Sequence, residues 1–184
     1  MVVEAGSLTL VCGPSRGGKS RWAEHLADRS PLRVHYLATA ADHPNDPSWQ
    51  ARIALHRQRR PQEWILHSPG PALAESLEQF GPSDLLLVDA LGTWLALHLA
   101  LDAASWQQCQ MHFLTALQSC QAAVILVAEE TGWGVVPATA IGGLFRDRMG
   151  ALLDRLHRCC DASWLVLHGR AINLLALSEP VPEA

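Results

Sequence analysis

Residues 11–20, VCGPSRGGKS, combine residue types and a spacing that can hold the phosphates of a nucleotide. Gly13 is followed, after four residues, by Gly18, Lys19 and Ser20. Glycines let the backbone fold closely around an anion, so that its N–H groups and a helix N-terminus face the phosphates. The lysine adds a cation, and the serine hydroxyl can bind Mg²⁺. The segment predicts a phosphate loop made of Gly13, Pro14, Ser15, Arg16, Gly17, Gly18, Lys19 and Ser20.

The segments on either side of this loop have the patterns that the motif requires. Residues 7–12, SLTLVC, form a short apolar run typical of a buried strand. In residues 20–29, Trp22, Ala23 and Leu26 recur at helical spacing. A strand, a glycine-rich loop and a helix in this order favour nucleotide binding over a chance glycine-rich turn.

The rest of the chain repeats the alternation of apolar runs and helical patterns. Strand-like runs occur at residues 33–39, 84–90, 122–129 and 162–169, and residues 171–177 form a further candidate strand. Continuous apolar strands separated by helices predict an α/β fold with a doubly wound, mostly parallel sheet. We expect one domain over residues 1–184, with a loose tail from about residue 178.

In such a sheet, ligands bind beyond the carboxyl ends of the strands, where Gly13, Thr39, Asp89 and Glu129 all fall. Asp89 ends the run LLLVD, a position from which a carboxylate can reach a metal ion or its bound water. The sequence therefore predicts that Ser20 and Asp89 hold Mg²⁺. The alternative for Asp89 is a helix N-cap at a strand-to-helix junction.

His56 lies in RIALHRQRRP, among several arginines of an acidic protein. A neutral imidazole can attack the α-phosphate of a nucleotide and form a phosphoramidate, while arginines stabilise the charge on the phosphoryl oxygens. The alternative is a solvated basic helix face on which the histidine has no chemical role.

Two pairs of neighbouring charged residues are weaker candidates for a role in binding or catalysis. Glu129 and Glu130 follow an apolar run and could act as a base or metal ligand, or be exposed solvating charges. Arg146 and Asp147 could contact a nucleotide or form an ordinary pair on a helix surface.

The composition limits the partners. The chain has a net charge of −4, so no overall field attracts nucleic acid. No apolar run is as long as a membrane-spanning helix, and the N-terminus lacks a secretory pattern. We therefore expect a cytoplasmic protein that binds neither nucleic acid nor a membrane.

Taken in order, the motifs resemble those of the bifunctional adenosylcobinamide kinase / adenosylcobinamide-phosphate guanylyltransferase family of cobalamin biosynthesis. The resemblance runs nearly end to end, through LVCGPSRGGKSRWAE, VHYLATA, ARIALHRQRRPQEW, LLLVDALGTWLALHL, VILVAEETGWGVVP and LFRDRMGALLDRLHRCCDASWLVLHG. The phosphate loop is shared by many proteins, whereas the His-Arg-x-x-Arg-Pro and Gly-x-Gly-x-Val-Pro segments are far more specific.

The resemblance implies a RecA-like P-loop domain, assembled as a trimer, that binds ATP, GTP and Mg²⁺. It implies phosphorylation of adenosylcobinamide, a corrinoid, and then transfer of GMP from GTP through a guanylylated His56, with Lys19 also catalytic. Beyond the phosphate loop, it places nucleotide contacts at Ala38, Thr39, Ala40, Arg57, Gln58, Arg59, Arg60 and Asp89.

The chain departs from the family pattern at a few positions. Ser68 stands where the family has a glutamate that helps to hold the guanine nucleotide, and we include it among the nucleotide contacts. Glu129 replaces an asparagine, and Leu153 replaces an asparagine of the long helix. Two other functions stay open: a P-loop small-molecule kinase without a covalent nucleotide intermediate, and a nucleotide-binding subunit without catalysis.

Overall fold

The computed structural model describes residues 3–41, 45–134 and 136–182, and for Trp49, Arg52 and His56 it describes the backbone alone. The strands are β1 (Leu8–Gly13), β2 (Arg33–Ala38), β3 (Ile65–His67), β4 (Asp84–Asp89), β5 (Ala123–Glu129), β6 (Ala162–Leu167) and β7 (Arg170–Asn173). The helices are α1 (Lys19–Asp28), α2 (Pro47–Arg59), α3 (Leu73–Leu77), α4 (Leu91–Leu97), α5 (Ala103–Ser119), α6 (Ala140–His157) and α7 (Leu174–Leu177).

The described strands form one seven-stranded sheet in the order β3-β2-β4-β5-β1-β6-β7. The pairs from β3 to β6 are parallel, and β7 alone runs antiparallel to its neighbour, β6. The prediction of a doubly wound, mostly parallel α/β sheet is confirmed.

Alternation along the central strands divides the apolar core between the two faces of the sheet. On β1, Leu10 and Cys12 join one core, with residues of α3 to α6, whereas Val11 joins the other, with Ala23 and Leu26 of α1. Because both faces are covered by helices, the strands can carry apolar residues on both faces, as the central strands β1, β4 and β5 do. The sheet is thereby a rigid base for its carboxyl-end loops.

The structure corrects the sequence analysis at two elements. The short edge strand β3 was not predicted, because it has only three residues and two of them are exposed. The candidate strand at residues 171–177 is a strand only to Asn173, since the Asn173 side chain accepts a hydrogen bond from the Ala176 amide and begins α7.

None of the described helices is both long and apolar enough to cross a membrane. All five cysteines lie in described segments and are free thiols.

Candidate active site

The carboxyl ends of four neighbouring strands meet at one edge of the sheet. In the parallel register, Gly13 of β1 pairs with Glu129 of β5, and Ala38 of β2 pairs with Asp89 of β4. Glu130 extends this contact, because its amide donates to the Gly13 carbonyl at 2.8 Å. The sequence prediction that these strand ends come together is confirmed.

The phosphate loop connects β1 to α1 with a tightly folded backbone. Gly18 has a φ of 105° and is the N-cap of α1, a left-handed conformation that glycine adopts without strain. A Cβ at Gly13 would collide with the Val166 carbonyl of β6. Lys19 is buried, and its Nζ donates to the Pro14 carbonyl at 2.9 Å. The loop is packed against β6 and keeps its cation at the start of α1.

A cavity of about 660 Å³, here called the loop cavity, opens in front of the phosphate loop. Its walls include Lys19, Ser20, Asp89 and Glu129. The volume is in the range of small-molecule sites. A backbone cradle, a lysine, a hydroxyl and a carboxylate around one cavity are groups of the types that can bind a nucleoside triphosphate and a hard cation.

A second cavity of about 420 Å³, here called the adjacent cavity, lies on the β2 side of the same edge. It shares Asp89 and Glu129 with the loop cavity. Several predicted nucleotide contacts line it, namely Ala38, Ala40, Arg57, Arg60 and Ser68. The site is therefore two neighbouring cavities with a common acidic boundary.

Helix α2 contributes to both cavities. Its residues Ser48, Ala51, Leu55 and Arg59 line the loop cavity, and Gln50, Ile53 and Arg57 line the adjacent cavity together with Arg60, which follows the helix. The backbone of His56 lies in α2 between Leu55 and Arg57, which line different cavities. The side chain of His56 is outside the described part of the structure, so its predicted role stays a prediction.

The Asp89 carboxylate is held by a tyrosine rather than by a helix. Asp89 Oδ2 accepts a hydrogen bond of 2.7 Å from the Tyr36 hydroxyl. Helix α4 begins after Ala90, and its N-cap makes no side-chain hydrogen bond. The N-cap interpretation of Asp89 is therefore wrong, and the carboxylate faces the two cavities.

The next peptide is held by two threonines. The Thr39 hydroxyl donates to the Ala90 carbonyl at 2.6 Å and lies 2.7 Å from the Thr93 hydroxyl. Thr39 is fully buried, whereas Ala38 and Ala40 line the adjacent cavity. Through these contacts, Thr39 stabilises the turn that follows Asp89.

Glu129 is a partly buried carboxylate and not an exposed one. Its Oε2 accepts from the Gly92 amide at 3.0 Å. Burial raises the pKa of Glu129, and the nearby Asp89 raises it further, while Lys19 lowers it. The charge of Glu129 is therefore coupled to those of Lys19 and Asp89, with which it lines the loop cavity.

The basic segment at the end of α2 is held in place by two contacts. Arg59 Nε and Nη2 donate to the two carboxylate oxygens of Glu24 on α1, each at 3.1 Å. The Arg60 guanidinium lies over the Tyr36 ring, with Cζ 5.0 Å from its centroid. Gln58 is exposed and is not among the described residues that line either cavity.

Comparison with known proteins identifies the family of the chain. The family model described as "Cobinamide kinase / cobinamide phosphate guanyltransferase" matches residues 9–174. The chain belongs to this family. It is similar to the bifunctional adenosylcobalamin biosynthesis protein CobP of Pseudomonas aeruginosa, with 38% identity over 90% of this chain and 95% of the relative. It is also similar to the protein CobU of Salmonella typhimurium, with 32% identity over 91% of this chain and 99% of the relative.

A solved structure supports the fold assignment of this cobinamide kinase / guanyltransferase family member. The chain superposes on a prototypical ATPase from the type III secretion system of pathogenic bacteria with a TM-score of 0.53 at 11% identity. The superposition covers 88% of this chain and 51% of the ATPase. This likeness supports the predicted RecA-like P-loop fold.

The positions at which the chain departs from the family pattern lie in different parts of the structure. Ser68 lines the adjacent cavity, and Glu129 lies at the boundary of both cavities. Leu153 is buried in the core formed by α3 to α6 and the sheet. Of these departures, only Ser68 and Glu129 can act directly on a ligand in these cavities.

The weaker candidates Arg146 and Asp147 form an ion pair between neighbours on α6, with Asp147 exposed. Neither is among the described residues that line the two cavities.

Sequence reasoning missed two residues of the site, Tyr36 and Glu24. Tyr36 is inside an apolar strand, where an aromatic residue is ordinarily part of the core. Glu24 is on α1, far in sequence from its partner Arg59. The sequence did contain one indication of a role for Tyr36. It is the only tyrosine of the chain, and it lies three residues before Thr39, near the carboxyl end of its strand.

Proposed function

We propose that this chain carries out both reactions of its family in the two neighbouring cavities. It phosphorylates a hydroxyl of adenosylcobinamide with ATP or GTP, and it then transfers GMP from GTP to the new phosphate. The observation that carries the proposal is the position of α2, which lines both cavities and has His56 between residues of the two walls.

In the kinase reaction, the loop cavity holds the triphosphate. Backbone amides of the phosphate loop and the Lys19 ammonium neutralise charge on the phosphates. The substrate hydroxyl attacks the γ-phosphorus, the bond to the β-phosphate oxygen breaks, and the hydroxyl proton is released. Ser20 and Asp89 line this cavity and offer the hard oxygen ligands that Mg²⁺ prefers. When bound, Mg²⁺ would neutralise the charge of the phosphates.

In the guanylyl transfer, a nitrogen of the His56 imidazole attacks the α-phosphorus of GTP, and pyrophosphate leaves. The product is a phosphoramidate between His56 and GMP. An oxygen of adenosylcobinamide phosphate then attacks the same phosphorus, and the imidazole leaves. Arg57 and Arg60, which line the adjacent cavity, would balance the charge of the phosphoryl oxygens.

The same proposal includes the remaining expectations from the sequence. The chain acts as one domain with a loose tail, assembles as a trimer and works in the cytoplasm. Thr39, Gln58 and Arg59 contribute to the nucleotide site, with Arg59 acting from its ion pair with Glu24.

The test is labelling of the protein with α-³²P-GTP and Mg²⁺, followed by denaturing electrophoresis with and without acid. We expect an acid-labile label on the wild-type chain and none on His56→Ala. The matched control is His112→Ala, because His112 is an exposed histidine on α5 and is not among the described residues that line either cavity. The control should be labelled like the wild type. A wild-type chain that binds GTP but takes up no label would contradict the guanylyl-transfer mechanism.

A further inference from the structure

Tyr36 connects the two functional parts of the site. Its hydroxyl donates to Asp89 Oδ2 at 2.7 Å, and the Arg60 guanidinium lies 5.0 Å above its ring centroid. Tyr36 is buried, with 4% of its surface exposed, yet it also lines the adjacent cavity. One side chain therefore contacts both the carboxylate at the end of β4 and the segment that follows α2.

The hydroxyl of Tyr36 and the Asp89 carboxylate form a short hydrogen bond, in which the hydroxyl donates to Oδ2 at 2.7 Å. A hydrogen bond from a neutral hydroxyl to a carboxylate is strong and directional. It fixes the orientation of the Asp89 side chain.

The second contact depends on the ring and not on the hydroxyl. A guanidinium over an aromatic face is attracted by the ring quadrupole. Arg60 directly follows Arg59, whose ion pair with Glu24 joins the end of α2 to α1. His56 is one helical turn before this pair of contacts. The position of the Tyr36 ring therefore bears on where the last turn of α2 lies.

We propose that Tyr36 is a positioning residue for both reactions: its hydroxyl orients Asp89 toward the cation of the nucleotide complex, and its ring fixes Arg60 and the last turn of α2. The inference rests on the proposed function. Residues that orient a metal ligand commonly affect metal affinity or activity by roughly 10- to 100-fold. The two halves of the proposal can be separated, because phenylalanine removes the hydroxyl and leucine removes the ring as well.

The first experiment measures equilibrium binding of a fluorescent GTP analogue in Mg²⁺ and in EDTA. We expect Tyr36→Phe to bind about tenfold more weakly in Mg²⁺ and within about twofold of the wild type in EDTA. Equal weakening in both buffers would indicate a general structural defect and overturn the proposal. Unchanged binding in both buffers would also overturn it.

A spectroscopic experiment needs no substitution at Tyr36. Because the chain has one tyrosine, growth with 3-fluorotyrosine gives a single ¹⁹F label at this position. We expect its resonance to move when Mg²⁺ is added to the GTP-bound protein and to have a different shift in Asp89→Asn. A resonance that is unaffected by both changes would overturn the link between Tyr36 and Asp89.

The role of the ring is tested by the rate of guanylylation with α-³²P-GTP at saturating nucleotide. We expect Tyr36→Leu to react at least several-fold more slowly than Tyr36→Phe, since only the leucine variant loses the surface under Arg60. Equal rates would overturn this half of the proposal. If the wild type itself is not labelled, the proposed function fails; if it is labelled and the Tyr36 variants match it, only this inference fails.

Discussion

Arg59 at the end of α2 and Glu24 on α1 form a bidentate ion pair, with both donor–acceptor distances at 3.1 Å. The pair joins the helix that contains His56 to the helix that begins at the phosphate loop. Arg59 is partly exposed, so we expect Glu24→Gln to change the free energy of unfolding by less than about 1 kcal/mol. It should nevertheless slow guanylylation several-fold, because the end of α2 is less fixed.

The measurement for this pair is labelling with α-³²P-GTP together with urea unfolding. Asp28→Asn is the matched control, since Asp28 is an exposed acidic residue on the same helix and the substitution removes the same charge. Equal labelling rates in Glu24→Gln and in the control would show that the ion pair does not position α2.

Gly92 allows the Glu129 carboxylate to approach α4. A Cβ at Gly92 would lie inside contact distance of this carboxylate, which accepts a hydrogen bond from the Gly92 amide. We expect Gly92→Ala to displace Glu129 from the boundary of the two cavities and to weaken GTP binding by about tenfold. Gly150→Ala is the control, because open space surrounds Gly150 on α6 and alanine should stabilise that helix by about 0.5–1 kcal/mol. Unchanged GTP binding in Gly92→Ala would contradict the prediction.

Arg148 is a buried arginine whose partners are backbone carbonyls. Its Nη1 donates to the His98 carbonyl at 3.0 Å, its Nη2 donates to the Leu101 carbonyl at 2.6 Å, and its guanidinium lies over Trp106. Arg148→Met removes the side-chain donor to the Leu101 carbonyl and leaves the His98 carbonyl with the Leu101 amide alone, so we expect the free energy of unfolding to fall by about 3 kcal/mol. Arg146→Met, on the same helix, should change it by about 0.5 kcal/mol or less. Urea unfolding of both variants gives the comparison.

Local patterns in the sequence predict much of the fold and the first layer of the site. The glycine spacing from Gly13 to Lys19 and the apolar run that ends at Asp89 are patterns of residues adjacent in sequence. Gly13 and Asp89 were predicted at the carboxyl ends of strands, and the structure has both there. The contacts of Tyr36 and Glu24 join residues 53 and 35 positions apart, so no periodicity in the chain indicates them. Strand β3 was not predicted because its three residues have no strand pattern of their own. It is a strand through its pairing with β2, which the local sequence does not indicate.

Acid should destabilise the protein through His98. Burial lowers the pKa of His98 below its usual value of 6.5, and among the described residues its buried Nε2 has no hydrogen-bond partner. The unfolded chain therefore takes up a proton at a higher pH than the folded chain does. Neutral His98 therefore contributes to the free energy of unfolding at pH values above the pKa that it has in the unfolded chain. This contribution is lost as the pH falls from that value toward the lower pKa of His98 in the folded chain.

The measurement is urea unfolding at pH 7.5 and at pH 5.5, values on the two sides of the unfolded pKa, which is about 6.5. We expect the wild type to be less stable at the lower pH and His98→Gln to show a smaller difference between the two. His112→Gln, an exposed control, should retain the wild-type difference. A His98→Gln variant with the full pH dependence would assign the effect to other histidines.

Ser68 offers a test of nucleotide choice in the adjacent cavity. Ser68 lines this cavity at the end of β3, and its short side chain cannot replace the carboxylate that the family pattern has there. A carboxylate can accept hydrogen bonds from the N1–H and the 2-amino group of guanine, whereas adenine offers neither group at these positions. We expect Ser68→Glu to increase the preference for GTP over ATP by about tenfold, which corresponds to about 1.4 kcal/mol.

The matched control is Ser68→Gln, whose side chain has the same length as glutamate without its charge and should therefore produce a smaller change in this preference. Competition binding of GTP and ATP measures the ratio, and an unchanged ratio in Ser68→Glu would mean that the guanine base does not lie beside β3.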